Sequence, residues 1–224
     1  MTSSQPRALR SARHWAAVLF SPDSRRHAKV GPLEHWREKR AFQIQFLRDR
    51  GLQPGNSFLD LGCGTLRGGI PIIEYLDEGG YTGVDARPEI IDEARAELRA
   101  HHLEDKHPTL TVSSDLATQD LGRHYDVIWA FSVLIHMSDE VLDSAFGFVR
   151  RHLAGDGVFY ATVTTESRQD KVWEGFPDVA RPVSFYEQHA RANGLAVEDL
   201  GALRTLGHPL GHGAEHRMLG VTLT

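Results

Sequence analysis

Apolar residues recur at helical spacing over residues 33–50: Leu33, Trp36, Ala41, Phe42, Ile44, Phe46 and Leu47, with Gly51 where a glycine closes a helix. Pro54 and Gly55 mark a turn. Residues 57–61 then read as a short buried strand that runs into a glycine loop. A helix follows over 67–76, with Pro71 in its first turn, where its missing N–H does no harm. Residues 81–84 are a second strand ending at Asp85. Residues 88–101 are a helix opened by Pro88, with Ile90, Ile91, Ala94 and Leu98 on one face. Strands are predicted at 109–112 and 125–130, and a helix at 138–152 capped by Ser138. Gly155-Asp156-Gly157 is a turn before a strand over 158–163. Residues 164–182 show no clean period. A helix over 184–193 closed by Gly194 and two strands, 195–200 and 217–223, complete the chain. The β-α alternation from 57 to 163 implies an α/β fold with a mostly parallel sheet covered on both faces.

Bulk properties narrow this little. The chain has 224 residues, enough for one domain with a full core. It is 41% hydrophobic and 25% charged, ordinary for a globular protein, and no apolar run approaches the roughly 20 residues that span a bilayer. A net charge of −5 argues against nucleic acid as a partner, and neither that nor a membrane is expected. The single cysteine, Cys63, excludes a disulfide framework and a thiolate cage and suits a cytoplasmic setting. Residues 1–30 carry Arg7, Arg10, Arg13, Arg25, Arg26 and Lys29 against Asp23. We read residues 1–32 as a basic arm or lid and 33–224 as one domain. A transit peptide is the alternative for the arm.

Open α/β sheets bind ligands beyond the carboxyl ends of their strands. Four such ends carry chemistry here. The first is FLDLGCGTLRGG at 58–69, where Gly62 and Gly64 permit a sharp turn and close approach of a ligand to the backbone. The regular G-x-G-x-x-G spacing is not met. Asp60 before the first glycine would repel a pyrophosphate but favour a cationic group. The second is Asp85, 25 residues on, suited to ribose hydroxyls or to capping the next helix. The third is Asp115 with Leu116, suited to an adenine amino group and ring, although Asp115 serves nearly as well as an N-cap. The fourth is AFSVLIH, with Ser132 and His136 at the mouth of a buried strand; His136 is a candidate general base or a structural histidine.

In this order the four segments resemble motifs I to IV of class I S-adenosylmethionine (SAM)-dependent methyltransferases, and LAGDGVFYATV resembles the family's segment after motif IV. The resemblance covers 33–224. It implies a Rossmann-like, doubly wound, seven-stranded and mostly parallel sheet with a reversed last strand. It implies SAM as cofactor, with Asp60, Gly62 and Gly64 at its methionine part, Asp85 at the ribose, and Asp115 and Leu116 at the adenine. Arg67 and Ser132 are further candidate cofactor contacts. The GCGTLRGG loop resembles that of a bacterial group acting on small molecules, but Leu66 stands where many members have another glycine. Motif IV lacks the Asn/Asp-Pro-Pro-Tyr run of enzymes that methylate base amines or glutamine amides.

The implied enzyme moves a methyl group to an oxygen, carboxylate or amine of a small molecule or peptide, and its partners are that acceptor and a second copy in a homodimer. Catalysis falls to His136, with Glu166 second. An NAD-linked oxidoreductase and a non-catalytic SAM-binding subunit are the alternatives. His208, His212 and His216 stand at four-residue steps, but Pro209, Gly211 and Gly213 forbid a helix there. They read as a loop cluster near the substrate mouth rather than a metal site, and no metal is expected. Trp15, Phe20, Trp36, Trp173 and Phe176 are candidates for the acceptor pocket or the core.

Overall fold

The computed structural model describes residues 36–165, 170–173, 175–209 and 215–224. The arm at 1–32, Glu166 and His212 lie outside them. Helix α1 (Trp36–Asp49) buries Trp36, Phe42, Phe46 and Leu47 along one stripe and stops at Gly51, whose φ of +95° suits the closing position. Strand β1 (Phe58–Leu61) leads through the glycine loop to α2 (Gly69–Tyr75), β2 (Tyr81–Asp85) and α3 (Pro88–Ala100). Then come β3 (Thr109–Val112), β4 (Tyr125–Ala130), a single 3-10 turn (Leu134–His136) and α4 (Asp139–His152), whose N-cap Ser138 accepts from the Val141 N–H. Strand β5 (Leu153–Thr164), a small hairpin of β6 (Lys171–Trp173) and β7 (Phe176–Asp178), helix α5 (Val183–Ala192), β8 (Leu195–Ala202) and β9 (His216–Leu223) complete it.

The seven-stranded sheet runs β3-β2-β1-β4-β5-β9-β8. Strands β1 to β5 pair in parallel, and β9 runs antiparallel to both β5 and β8. The reversed strand expected from the family pattern is therefore β9. It lies inside the sheet rather than at its edge. Alternation along each strand divides two cores. Leu59, Leu61, Ile128, Ala130, Phe159 and Ala161 pack with α4 and α5. Phe58, Trp129 and Tyr160 pack on the other face with α1, α2 and α3. Both faces are thus covered, as a central parallel sheet requires.

Two local expectations change. Strand β5 begins at Leu153, not Val158: Leu153 pairs with Tyr125, the register shifts, and pairing resumes at Val127–Val158. The Gly155–Gly157 turn is thus an irregularity within one ladder. The aperiodic stretch after β5 contains the β6–β7 hairpin, whose three-residue strands are too short to show a period. Its end is tied down. The Val179 N–H donates to Ile135 O at 2.9 Å, and Arg181 pairs with Asp170 and Asp139.

Candidate active site

Strand order reverses between β1 and β4, because β2 and β3 lie to one side and β4 and β5 to the other. A cavity of about 690 Å³ opens at the carboxyl ends there, where the switch-point rule places a ligand. The structure brings Asp60, Gly62, Gly64, Arg67, Asp85, Leu116, Ser132 and His136 to its lining.

The glycine loop is shaped by its neighbours. Gly62 has φ +74°, and a Cβ there would come within 2.5 Å of Val133 Cγ2, so any side chain would drive the motif IV loop away. Gly68 lies against the Gln43 side chain, and Gln43 Oε1 in turn accepts the Trp129 indole N–H at 3.1 Å. This docks α1 on the loop. Leu66 takes φ +61° with its side chain fully buried, so the loop keeps a left-handed, glycine-like backbone while filling the core. We expect Leu66→Gly to relieve about 1–2 kcal/mol of backbone strain but to lose about 2–5 kcal/mol of packing. Urea unfolding should show a net loss. A variant more stable than the parent would mean that strain outweighs packing.

Asp60, at the end of β1, is 5% exposed and accepts the Tyr81 hydroxyl at 2.7 Å. Burial pushes its carboxyl up to about 7; the Tyr81 hydrogen bond opposes this, the Asp85 charge adds to it and Arg67 opposes it. Such a carboxylate is poised to receive a cation. Asp85 is also buried. Its Oδ2 accepts the Gly64 N–H at 3.1 Å and its Oδ1 the Arg87 N–H at 3.1 Å, so two cavity loops are fastened by one side chain. A carboxylate has about four lone-pair sites, which leaves capacity for further donors. Arg67 is no surface residue. Its guanidinium lies 5.4 Å from the Trp36 ring centre, and burial lowers its pKa to about 10 against the pull of Asp60. Its carbonyl accepts Arg40 Nε at 2.9 Å.

Asp115 is not among the lining residues. Its exposed carboxylate takes the Thr118 hydroxyl at 2.6 Å and the Ala117 N–H at 3.0 Å, so it closes a turn rather than capping a helix. The Thr118 hydroxyl, with the Ala117 and Thr118 backbone N–H groups, holds it below the usual carboxylate range. Ser113 and Ser114 line the cavity beside Leu116 instead. On the β4 side, Ser132 has φ +60° and donates its N–H to Thr162 Oγ1 at 2.7 Å. His136 Nδ1 lies 2.9 Å from the Pro177 carbonyl. A carbonyl only accepts, so the neutral ring carries its proton on Nδ1 and its lone pair on Nε2.

The reversed β9 puts its first residue, His216, at the same edge of the sheet, opposite Thr164. His208 follows β8, whose end lies there too. Both histidines line the cavity, and His208 is only 6% exposed, wedged against Phe42 and Phe131. It is thus part of the wall rather than of a loop at the mouth. His212 is outside the described residues. Among the described residues no group of three or more His, Cys, Asp or Glu is placed to hold a metal. Among them no helix is long and apolar enough to cross a membrane. Of the candidate aromatics, Phe176 lines the cavity and Trp36 is buried in α1; Trp15, Phe20 and the Trp173 side chain lie outside the described residues. Sequence reasoning missed Gln43, Arg87, Thr162 and Thr164. Gln43 was visible as one polar residue on the apolar stripe of α1, whereas the others stand out only once the strands are paired.

Residues 59–159 match a family model described as a methyltransferase domain. The match takes in a little under half of the chain. No curated protein sequence matches it significantly. Solved structures share the fold. A SAM-dependent methyltransferase from Clostridium acetobutylicum superposes with a TM-score of 0.65 at 16% identity, covering 84% of this chain and 92% of its own. Magnesium protoporphyrin IX methyltransferase from Synechocystis, with bound SAM, gives 0.62 at 16% identity over 100% of both chains. A glycopeptide N-methyltransferase complexed with sinefungin gives 0.64 at 13% identity over 83% of this chain and 94% of its own. The matched residues run from β1 to mid-β5 and include the glycine loop, Asp85, Leu116 and His136.

Proposed function

We propose that this enzyme transfers a methyl group from SAM to an oxygen, carboxylate or amine of a small molecule or peptide, with the cofactor across Asp60, Gly62, Gly64, Asp85 and Leu116. The observation that carries this is the buried Asp60 carboxylate at the lip of the glycine loop, with a second buried carboxylate, Asp85, one strand away. Together they suit a ligand with an ammonium at one end and a ribose diol beyond it. Asp60 opposes a dinucleotide, whose pyrophosphate would face its carboxylate, so the oxidoreductase alternative is weaker. The GCGTLRGG loop supports a place in the bacterial small-molecule group.

When bound, the cofactor supplies a methyl carbon on a positive sulfur, which leaves as a neutral thioether. The protein's work is therefore mostly positioning. Asp60 pairs with the ammonium, and Arg67 beside it tempers the carboxylate's charge. Asp85 accepts the ribose hydroxyls, Leu116 packs on the adenine, and Ser132 shapes the turn under the reacting end. His136, with Nδ1–H anchored on Pro177, offers Nε2 as a base where the acceptor has a proton to lose. Glu166, two residues beyond β5, is the second candidate from sequence position.

Titration calorimetry with S-adenosylhomocysteine tests the reading. The protein should bind it, and Asp85→Ala should cost about 1.5–3 kcal/mol, roughly 10- to 150-fold in affinity. Unchanged affinity would remove Asp85 from the ribose.

A further inference from the structure

Helix α1 stands outside the β-α repeat, yet one of its faces is fitted to the glycine loop. Trp36, Arg40 and Gln43 follow one another at helical steps of four and three, so they share that face. The Trp36 ring lies 5.4 Å from the Arg67 guanidinium, and Arg40 Nε donates to the Arg67 carbonyl at 2.9 Å. Gly68, with no side chain, admits the Gln43 carboxamide. Arg67 is thus gripped at its side chain and at its backbone. Arg40 also reaches away from the loop. Its Nη2 lies 3.3 Å from Glu97 Oε1 on α3. Glu97 is buried, and His101 Nε2 approaches the same oxygen at 3.4 Å. A buried carboxylate needs such partners, and a guanidinium offers its donors in a rigid fork. One side chain of α1 therefore ties the glycine loop to α3.

The loop held in this way bears on Asp60. The titratable and charged groups that act on Asp60 are Tyr81 and Asp85 from β2 and Cys63 and Arg67 from the glycine loop, and α1 adds Lys39 to the cavity wall. Burial pushes the Tyr81 and Cys63 groups well above their usual ranges, so both are neutral at physiological pH. Asp85 brings a like charge that raises the Asp60 carboxyl, and Arg67 brings the opposite charge. Arg67 keeps its proton, since burial lowers it only to about 10. Resting on the methyl-transfer reading above, we propose that Arg40 is a positioning residue for the ammonium site: anchored on Glu97, it holds Arg67 beside Asp60 and so keeps the Asp60 carboxylate charged for the ligand. Arg40 is not among the lining residues and acts through Arg67. Glu97 stands one step further back, as the anchor of Arg40.

The test is calorimetric titration of the full chain with S-adenosylhomocysteine from about pH 6 to about pH 8.5. With Arg67 displaced, Asp60 holds its proton to higher pH, and at the acid end the ammonium meets a neutral acid. Arg40→Gln should therefore bind about tenfold or more weakly than the parent at about pH 6 but within about threefold of it at about pH 8.5, because the Asp60 midpoint has risen by about one unit. Arg40→Lys keeps a cation for Glu97, but one ammonium cannot fork to the Arg67 carbonyl as well. It should show the same convergence with pH, with a loss of about threefold or more at about pH 6. Thermal unfolding of the cofactor-free chain should carry the same mark. The fall of stability with rising pH should extend about one unit higher in Arg40→Gln than in the parent. A merely structural role would weaken binding by one factor at every pH. That result, a parent affinity without pH dependence in this range, or parent-like profiles in both variants would overturn the proposal. If Arg40→Gln fails to fold, Arg40→Lys decides. Failure of the parent chain to bind S-adenosylhomocysteine would instead overturn the methyl-transfer reading.

Discussion

Asp60→Asn should abolish useful cofactor binding and at the same time make the cofactor-free protein more stable. On the binding side, removing one partner of a buried charge pair costs about 2–5 kcal/mol, roughly 30- to several-thousand-fold in affinity. On the stability side, the Asp60 carboxyl titrates near 3.8 in the unfolded chain and near 7 in the fold. Between those values the folded state holds a proton that the unfolded state has released. Stability therefore falls as pH rises from about 4 to about 7, and above that the penalty is fully present. The three-unit span corresponds to a penalty on the order of 4 kcal/mol. Asparagine keeps an oxygen for the Tyr81 hydroxyl and carries no charge. Thermal unfolding from pH 5 to 8 should show a flatter profile for the variant and a higher Tm at pH 8. Calorimetry should show the loss of S-adenosylhomocysteine binding. An affinity within threefold of the parent would remove Asp60 from the ammonium site, and an unchanged pH profile would show that burial does not raise its pKa in the fold.

His136→Gln should slow methyl transfer about 10²- to 10⁴-fold on any acceptor that must lose a proton, and far less on one already ionised. Cofactor affinity should not follow, because His136 stands on the β4 side and the cradle at the ends of β1, β2 and β3. The substitution also removes the Nδ1–H bond to Pro177, so the β6–β7 hairpin loses one of its ties. The Val179–Ile135 and Arg181 contacts remain. Steady-state rates and S-adenosylhomocysteine titration on the same preparation separate the two effects. A full rate on a protonated acceptor would leave His136 as the hairpin's anchor alone.

Much of this could be read from the chain because it is local. Helix α1 and its Gly51 stop, Pro88 opening α3, Ser138 capping α4 and the apolar run of β4 follow from side-chain period and backbone preference within a few residues. The glycine loop with Asp60 before it, and Asp85 one strand later, follow from the chemistry of a turn that must admit a ligand. Leu66 could not be read this way. Nothing local says that a leucine takes φ +61°; the core that buries its side chain decides it. Asp115 shows the reverse, since two local outcomes were open and the turn claimed its carboxylate. The β5–β9 side of the cavity lay furthest from reach. His216 meets Thr164 across 52 residues only because β9 runs backwards between β5 and β8. His208 reaches Phe42 and Phe131 only because β8 ends at the same edge. The sequence by itself determined the elements and the cofactor loop, whose geometry is set by neighbours along the chain. The tertiary structure decided which histidines line the cavity, because strand order and direction are set by long-range pairing and burial that no short window of residues contains.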